Sequence, residues 1–465
     1  MKTIIGSKIE VQQFTQEILD FAEKELVFNN PKYYLLKKTH RSTWGVPEKI
    51  VLYEKIGNSL FLPFGVLKKV FPLIKDSPIE AHFDKYQTKK LLPKTTLRDY
   101  QIVALGKLVS GKNGILVSPC GSGKTMVGMH LISKLQRRTL WVAHTTDLVN
   151  QAKQCAEREF INLEENDIGT IMEGKVNVGN IITFATIQTL ALIDLSVLKN
   201  YFGCIIVDEA GHIAGTPTTI TMYYKVLSRL NVRYKYGLTA TPKRIDGLTP
   251  CMYALVGDKL HEITDYDVNK IKCNAELIEI DLPTSDNLSY YDSDFKFIQY
   301  KFDDYIATND ERNARIVNNI INVYLENNKH IQLVLCNRVE QVERIAKMLK
   351  QSELDLKVGT FIGKTKKSTR TDILTNYKSY NVIVATYSIA SEGIDMPSLD
   401  TLHLASPKTK NNKSLLTQCI GRIERASPDK SNAVVYTYKD INIPFSIQCA
   451  KRVRLAMGQK TIIFN

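Results

Sequence analysis

Residues 114–125 read GILVSPCGSGKT, an apolar run that passes into a glycine-containing loop and then into a helical pattern. A strand followed by such a loop and a helix is the setting of a phosphate-binding loop. Gly121 and Gly123 let the backbone curl, so that successive amide groups and the helix N-terminus point at phosphate oxygens. Lys124 suits contact with the β- and γ-phosphates, and Thr125 suits Mg²⁺. The stretch therefore predicts a nucleoside-triphosphate site on an α/β sheet.

A second apolar run, CIIVDEAGH at 204–212, ends in two adjacent carboxylates. Ligands of open α/β sheets bind at the carboxyl ends of the strands, which is where Asp208 and Glu209 would lie. Asp208 suits Mg²⁺, because a hard cation prefers carboxylate oxygens, and Glu209 suits polarisation of an attacking water. Together with the phosphate loop, this pair predicts hydrolysis of the bound nucleotide.

Apolar runs of strand length alternate with helical stretches along the chain, which predicts parallel sheets covered on both faces. The predicted strands are 49–53, 59–63, 114–118, 139–143, 181–184, 204–207, 236–239, 331–336, 381–385, 401–405 and 433–438. Between about 265 and 310 the alternation pauses, and acidic and aromatic residues crowd together at 281–305. The predicted organisation is an N-terminal accessory domain at 1–90, an α/β lobe at 91–265, a linker or packed arm at 266–310 and a second α/β lobe at 311–465.

The composition limits the class of protein. Of 465 residues, 44% are hydrophobic and 24% charged, so several packed domains are expected and wholesale disorder is excluded. No apolar run has the ~18 residues of a membrane span, and no signal peptide is recognisable, so we expect a cytoplasmic protein, in the host cytoplasm if it is viral, without a membrane partner. Eight scattered cysteines lack the spacing of zinc sites. A net charge of +14 favours nucleic acid as the partner.

The chain resembles the superfamily 2 helicases in a series of motifs that occur in the order typical of that family. They are LRDYQ at 97–101 (adenine recognition), WVAHTTDLVNQ at 141–151 (Ia), FATIQTL at 184–190 (Ib), TATP at 239–242 (III), QLVLCNRVEQVERI at 332–345 (IV), VATYSIASEGIDMP at 384–397 (V) and QCIGRIER at 418–425 (VI). The resemblance implies an α/β fold of two tandem RecA-like lobes with parallel sheets, preceded by a small accessory domain. It also implies an ATP-hydrolysing enzyme that uses ATP and Mg²⁺.

The resemblance assigns roles to residues at matching positions. In this family the arginines of motif VI reach the γ-phosphate when the cleft between the lobes closes, and repeated closure moves the protein along one strand. The implied catalytic residues are Lys124, Glu209, Gln418, Arg422 and Arg425. The implied nucleotide-binding residues are Gln101, which would read the base, Gly121, Ser122, Gly123, Lys124, Thr125, Asp208, Gly393 and Asp395, with Thr125 and Asp208 holding Mg²⁺. The implied nucleic-acid contacts are Thr145, Thr186, Lys243, Arg244, Arg338, Lys364 and Thr386, with Lys366, Lys367 and Lys408 as further basic candidates.

The sequence departs from the family at two positions. Ser118 stands where the first glycine of the phosphate loop is usual. The fourth residue of the DExH box is commonly histidine or aspartate and couples ATP to motifs III and VI, but here it is Gly211, with His212 one step later. Either His212 takes over the coupling or it is a structural residue, in which case coupling runs through Gln418 and motif III.

The wording of the motifs is similar to that of the branch-remodelling helicases of the UvsW, RecG and XPB type. This likeness predicts an enzyme of replication, recombination or repair that acts on a tracking strand and on forked or branched DNA, and that works as a monomer. It also predicts that residues 1–90 engage the duplex or branch point. The candidate contacts there are Arg41, Trp44, Lys68 and Lys69, although Trp44 suits a packing role as well.

Three other functions remain open at this stage. The chain fits an RNA-dependent ATPase of the DExH class, because the motor motifs hold backbone phosphates that are common to DNA and RNA. A clamp or motor subunit without unwinding activity is the second alternative, with Gly211 uncoupling ATP use from movement. The third is the motor part of a restriction assembly, whose cutting would need another chain, since no nuclease-like carboxylate motif stands outside the lobes.

Overall fold

The computed structural model divides into two compact units, Met1–Asp267 and Val268–Asn465, which are described separately. It describes the whole chain except residues 120, 243, 245, 265–266, 268–274, 285–287, 294–295, 389–395, 397, 409–415, 417–418, 422, 425–429, 431, 458–461 and 465. Only the backbone is described at 288, 367, 371 and 462–464. In the described part of the chain, no helix has the length and apolar character that crossing a membrane requires.

The first unit opens with a five-stranded sheet in the order β5-β6-β2-β1-β7, antiparallel except for the β1–β7 pair. Its elements and the separate β3–β4 ladder are β1 Lys2–Ile5, β2 Lys8–Gln12, α1 Gln16–Glu25, β3 Val27–Asn29, α2 Pro31–Lys38, β4 Lys49–Val51, β5 Glu54–Ile56, β6 Ser59–Pro63, α3 Leu67–Ile74 and β7 Ile79–Ala81. The alternating pattern of β2 buries Ile9 and Val11 on one face. These side chains share a core with Cys251 and Ala254, which lie beyond residue 90. The predicted accessory domain is therefore packed onto the lobe that follows it.

An eight-stranded sheet in the order β11-β10-β12-β9-β13-β14-β8-β15 forms the rest of the first unit and is parallel except for β11. Its strands are β8 Asn113–Val117, β9 Thr139–Ala143, β10 Ile168–Met172, β11 Lys175–Asn177, β12 Ile182–Thr186, β13 Cys204–Asp208, β14 Tyr234–Thr239 and β15 Lys259–Glu262. Its helices are α4 Asp99–Gly111, α5 Lys124–Leu135, α6 Thr146–Glu159, α7 Ile187–Leu192, α8 Met222–Leu227 and α9 Thr249–Val256. Strands β8, β9, β12 and β13 are buried at every residue, as expected for a sheet covered on both faces.

The second unit contains a seven-stranded parallel sheet in the order β18-β19-β17-β20-β21-β16-β22. Its strands are β16 Ala275–Leu282, β17 Gln332–Cys336, β18 Val358–Phe361, β19 Val382–Thr386, β20 Thr401–Leu404, β21 Ala433–Asp440 and β22 Ile462–Phe464. Its described helices of eight residues or more are α10 Gln299–Thr308, α11 Asp310–Glu326, α12 Val339–Gln351, α13 Lys367–Thr375 and α14 Pro444–Ala456. The predicted α/β class with parallel sheets is confirmed.

The segment predicted as a linker or arm, 266–310, needs a correction. Strand β16 lies within it and pairs with β21 in parallel over eight residues, from Ala275 opposite Ala433 to Leu282 opposite Asp440. Helix α10 also lies within it, and the ring of Phe297 stacks on that of Phe445 at 4.7 Å. The described residues of this segment therefore belong to the sheet and core of the second unit. The sequence concealed this because the partner strand follows so far along the chain.

A buried ion pair fixes helix α11 to β21 at the carboxyl edge of the second sheet. The guanidinium of Arg312 donates from Nε to Oδ1 of Asp440 at 2.8 Å and from Nη2 to Oδ2 at 3.1 Å. Both side chains are almost fully buried. Burial alone would raise the pKa of Asp440, but the charge and hydrogen bonds of Arg312, with hydroxyl donors from Thr284 and Ser446, lower it.

Removal of one partner of this pair is predicted to destabilise the second unit strongly. Arg312→Ala leaves a buried carboxylate without its countercharge, so we expect a loss of about 3–5 kcal/mol in the free energy of unfolding, measured by urea denaturation. The control is Arg344→Ala, because Arg344 pairs with Asp310 at the surface and should leave the unfolding midpoint unchanged. Equal midpoints for wild type and the Arg312 variant would contradict the assigned role.

Candidate nucleotide-binding site

The phosphate loop lies between β8 and α5 and has the backbone that its glycines predict. Gly121 and Gly123 have φ angles of +80° and +81°, in the left-handed region that side chains disfavour. The hydroxyl of Ser122 donates to the carbonyl of Pro119 at 2.6 Å and is hydrogen-bonded to the hydroxyl of Ser118. Ser118, in the place of the usual glycine, therefore braces the loop from inside. Helix α5 begins at Lys124, directly after the loop, and a helix N-terminus attracts an anion.

Gln101 in α4 contacts this loop directly. Its Nε2 donates to the carbonyl of Ser122 at 2.8 Å, and its Oε1 accepts from the amide of Arg98 at 2.9 Å. The Tyr100 hydroxyl donates to the same Ser122 carbonyl at 3.2 Å. A side chain at Gly123 would collide with the Gln101 amide, so this glycine is required for close approach as well as for its backbone angle. The adenine-recognition motif and the phosphate loop are thereby one rigid assembly, and reading of the base by Gln101 stays a prediction.

The two carboxylates follow β13 at the same edge of the sheet. Lys124 Nζ lies 3.4 Å from Glu209 Oε1, so the loop and the DExx segment are in contact. Burial and the neighbouring charge of Glu209 raise the pKa of Asp208 to about 6, against the opposing charge of Lys124. Glu209 has a φ of +50°, an uncommon angle for a residue with a side chain. Such backbone strain is concentrated at functional sites.

The carboxylate of Asp208 and the hydroxyl of Thr125 make a donor set that fits Mg²⁺. Both supply oxygen atoms, and the pKa of Asp208, which is raised first by burial and then by the charge of Glu209, is one that a bound divalent cation would lower. Among the described residues there is no group of three or more His, Cys, Asp or Glu side chains that could hold a metal ion. The donor set therefore suits an ion that shares its coordination with phosphate oxygens.

Gly211 is packed against motif III. A Cβ atom at this position would lie 2.8 Å from the carbonyl oxygen of Thr241 and 3.3 Å from Oγ1 of Thr239. The carbonyl of Gly211 accepts a hydrogen bond from Nη1 of Arg244 at 2.7 Å, and the same guanidinium donates to both oxygens of Asp246 at 2.9 and 2.6 Å. The family's histidine or aspartate side chain thus has no space here, and the contact between the DExx box and motif III runs through the backbone.

His212 makes a different contact. Its ring lies against that of His144 in motif Ia, with centroids 4.0 Å apart and planes tilted by 33°. Motifs Ia and Ib are joined in turn, because Nε2 of Gln188 donates to the carbonyl of His144 at 2.7 Å. His212 therefore connects the DExx segment to motif Ia. The role of Gln188 is not predicted from the sequence. The available signal was a glutamine two residues after Thr186.

Tyr223 in α8 is a second residue that sequence reasoning missed. Its side chain is buried, and burial together with the charges of Asp208 and Glu209 raises its pKa far above the usual value. The phenol therefore stays protonated and belongs to the electrostatic environment of the two carboxylates. No motif points to Tyr223, because TMYYKVL is typical of an ordinary helix with a buried aromatic face.

The predicted nucleic-acid contacts of the first unit lie at the ends of neighbouring strands. Thr145 caps α6 by accepting the amide of Leu148, and Thr186 ends β12, which pairs with β9 so that Thr186 lies opposite Ala143. The structure brings these two threonines together. Arg244 is instead committed to Gly211 and Asp246, and Lys243 lies outside the described residues.

In the second unit, Thr386 and Arg338 lie at the carboxyl ends of the paired strands β19 and β17. Arg338 pairs with Asp304 at 2.8 Å, and Lys364 is exposed. Lys408, at the same edge, lies over the ring of Tyr387 at 4.8 Å; burial lowers its pKa, against the charge of Asp303. Several predicted residues lie outside the described part of the chain, namely Gly393, Asp395, Gln418, Arg422 and Arg425.

Comparison with known families agrees with this geometry. The model described as "Type III restriction enzyme, res subunit" matches residues 94–244, and the model described as "Helicase conserved C-terminal domain" matches residues 313–427. The chain belongs to the superfamily 2 helicases. As a member of that superfamily it is an ATP-hydrolysing enzyme, and the matched ranges contain the phosphate loop, the DExx box and motifs IV to VI.

This helicase is similar to proteins whose names state different activities. It is 28% identical to a "Putative ATP-dependent RNA helicase" of Acanthamoeba polyphaga mimivirus, over 89% of this chain and 77% of that protein. It is 25% identical to "DNA 3'-5' translocase XPB2" of Sulfurisphaera tokodaii, over 76% of this chain and 80% of that protein. Among solved structures, "ATP-dependent Type ISP restriction-modification enzyme LlaBIII bound to DNA" is 14% identical with a TM-score of 0.54, over 80% of this chain and 31% of that one, which shows a shared fold alone.

The close packing at Gly211 generates a prediction for the helicase. Gly211→Ala forces a methyl group against a backbone carbonyl of motif III, so we expect kcat for ATP hydrolysis to fall at least ~10-fold while nucleotide affinity changes less. The measurement is steady-state ATPase together with binding of a fluorescent ATP analogue. Gly106→Ala is the matched control, because a Cβ atom there meets nothing within 4 Å. An unaltered kcat in the Gly211 variant would contradict the packing argument.

Proposed function

We propose that this helicase is an ATP-driven DNA translocase that moves along one strand and thereby unwinds or branch-migrates forked and branched DNA in replication, recombination or repair. One observation carries the proposal. The ATP-site pair Lys124–Glu209 and the strand-contact threonines Thr145 and Thr186 lie at the carboxyl edge of a single parallel sheet. A change at the phosphates therefore has a short physical route to the residues proposed to hold the strand.

The residues of this edge divide the work of phosphoryl transfer. Lys124 offsets negative charge on the phosphates, the amides at the start of α5 orient them, and Glu209 is placed to accept a proton from the attacking water. Mg²⁺, held by Thr125 and Asp208, would supply further positive charge to the phosphate oxygens. Glu209 Oε1 also lies 3.4 Å from Lys124 Nζ, so binding of the nucleotide phosphates would have to change this contact. The predicted contributions of Gln418, Arg422 and Arg425 complete the proposal.

Coupling to the strand is proposed to run through two contacts of the DExx segment. The carbonyl of Gly211 is held by Arg244, and Asp246 holds the guanidinium from its other side. The ring of His212 rests on His144 of motif Ia. Displacement of Glu209 by the nucleotide would therefore change the contacts to motif III and to motif Ia at the same time. Arg244 acts in this proposal as a positioning residue rather than as a phosphate contact.

DNA is proposed as the substrate on two grounds. A relative that the chain matches over most of its length is named as a DNA 3′-5′ translocase. The positive net charge suits backbone phosphates without reading of sequence. The name of the mimivirus relative favours RNA as the second candidate, and phosphate contacts do not distinguish the two.

The choice of substrate can be tested by strand displacement. We expect ATP-dependent displacement of forked, three-way and four-way DNA, and little displacement of the matching RNA substrates, because the proposed function requires a DNA tracking strand. Initial rates are measured on the whole panel together with linear duplexes. Equal rates on linear and branched DNA would remove the branch-specific part of the proposal, and faster displacement of RNA would replace DNA by RNA.

Loss of the phosphate-loop cation should separate binding from movement. Lys124→Ala removes the charge that faces the phosphates, so we expect ATP hydrolysis and strand displacement to fall by at least ~10²-fold. Binding of DNA without ATP should stay within about twofold of wild type, because none of the proposed strand contacts is changed. The matched control is Lys134→Ala, at the exposed end of the same helix, which should retain both activities. Undiminished strand displacement by the Lys124 variant would show that the activity does not depend on ATP.

A further inference from the structure

Residues 30–48 form an insertion between the paired strands β3 and β4. Asn29 lies opposite Lys49 in that ladder, which closes the base of the insertion. Asn30 reinforces the closure, because its amide donates to the carbonyl of Glu48 and its Nδ2 to the carbonyl of Pro47, both at 2.8 Å. The insertion consists of α2 and of a loop at 39–48, which is called the Trp44 loop below. Its base is therefore fixed and its tip extends from the fold.

Trp44 lies at the tip and is 93% exposed. The predicted alternative, a packing role for Trp44, is therefore wrong. Trp141, by contrast, is fully buried. The tip is a defined turn, in which the amide of Val46 donates to the carbonyl of Thr43 at 3.0 Å. Helix α2 buries none of its residues, so the exposed surface continues along it. Tryptophan is usually well buried in folded proteins, and a large apolar ring held out on an ordered turn marks an interaction site.

The charges of this insertion are predominantly positive. The stretch 30–49 contains a single acidic residue, Glu48, whose carboxylate accepts the hydroxyl of Tyr34 at 2.8 Å. The same stretch contains five exposed cationic side chains: Lys32, Lys37, Lys38, Arg41 and Lys49. An exposed aromatic ring within a cationic surface matches a polymer that offers both flat rings and phosphates.

The insertion also starts beside the segment that follows motif III. Pro31, the first residue of α2, packs on Gly247 so closely that a side chain at that glycine would meet the proline ring. Gly247 follows Arg244 and Asp246, the pair that holds motif III to the DExx box. The base of the insertion is therefore in contact with the segment that is proposed to respond to ATP.

We propose that Trp44 stacks on an unpaired base of the nucleic acid, while the cations of α2 and the Trp44 loop contact the neighbouring phosphates. Stacking on a base is insensitive to sequence, because every base has a planar face, and phosphate contacts are equally so. The class of ligand is thus a single-stranded stretch or the unpaired junction of a fork. This inference rests on the proposed function, because it takes nucleic acid as the partner of the helicase.

The two tryptophans of the chain allow a direct test. Emission of the full-length protein is followed without ATP while oligo(dT) or a fork is added at fixed salt. We expect quenching of the wild type, because the exposed ring stacks on a base, and no change in Trp44→Phe, which leaves only buried Trp141 as reporter. Unchanged emission of the wild type at concentrations where DNA is bound would overturn the inference.

Affinity provides the second readout. Trp44→Ala should weaken binding of the fork and of single strands roughly 5- to 150-fold, Trp44→Phe should retain most of the affinity, and blunt duplex should bind both variants like wild type. Val197→Ala is the matched control, since that apolar side chain is 80% exposed elsewhere in the same unit and its loss should have no effect. Equal affinity of wild type and Trp44→Ala for forks would overturn the assignment.

The two proposals fail in different ways. If the Trp44 assignment alone is wrong, the wild type binds DNA and displaces strands, but neither its emission nor the alanine variant responds. If the proposed function is wrong, the wild type itself shows no displacement of DNA and no stimulation of ATP hydrolysis by DNA. Because Trp44 is 93% exposed, its loss should not disturb the fold, and equal urea unfolding midpoints of wild type and Trp44→Ala check that the variant is folded.

Discussion

The site depends on the register of three parallel strands. Val117 of β8 lies opposite Thr239 of β14, and Leu238 of β14 lies opposite Asp208 of β13. Since parallel strands end at a common edge, the phosphate loop, motif III and the DExx box emerge side by side. A shift of one residue in any of these pairings would turn buried side chains to the opposite face and separate Lys124 from Glu209. The continuous apolar burial of the strands is thus what holds the catalytic groups in place.

Within this frame, Gly211 changes how the DExx box meets motif III. A side-chain contact can rotate away when it breaks, whereas the carbonyl of Gly211 is part of the chain that carries Glu209 and His212. Its acceptor is held by Arg244, and Arg244 is held by Asp246 through two hydrogen bonds. A bidentate pair of this kind fixes both distance and orientation. In this chain the DExx segment therefore contacts Arg244 through a backbone carbonyl, at the position where the family pattern has a side chain.

The local parts of this arrangement could be predicted from the sequence. Strands 59–63 and 139–143 were placed at their observed bounds, and the positive φ angles of Gly121 and Gly123 follow from the loop motif. Contacts between distant parts of the chain could not be predicted in the same way. Strand β16 was assigned to a linker because its partner β21 begins only at Ala433. The sequence likewise predicts that Arg244 contacts nucleic acid, because a motif does not show that a backbone carbonyl will accept a hydrogen bond from its guanidinium.

The exposure of Trp44 belongs to the same class of information. A tryptophan in STWGVPE is compatible with a turn that folds inward or outward, and the structure shows that Trp44 is exposed.

The N-terminal sheet is packed against the lobe that carries the phosphate loop and is fixed to that lobe. Lys235 of β14 is fully buried where the two sheets of the first unit meet, and its Nζ donates to the carbonyls of Leu227 at 2.9 Å and Ser7 at 3.3 Å, over the ring of Phe64. Burial lowers its pKa to about 7, and the two carbonyl acceptors are the hydrogen-bond partners that a buried amine requires. The shared core with Cys251 and Ala254 adds apolar contact to this polar one. The insertion at 30–48 is therefore carried by a part of the chain that is packed against this lobe.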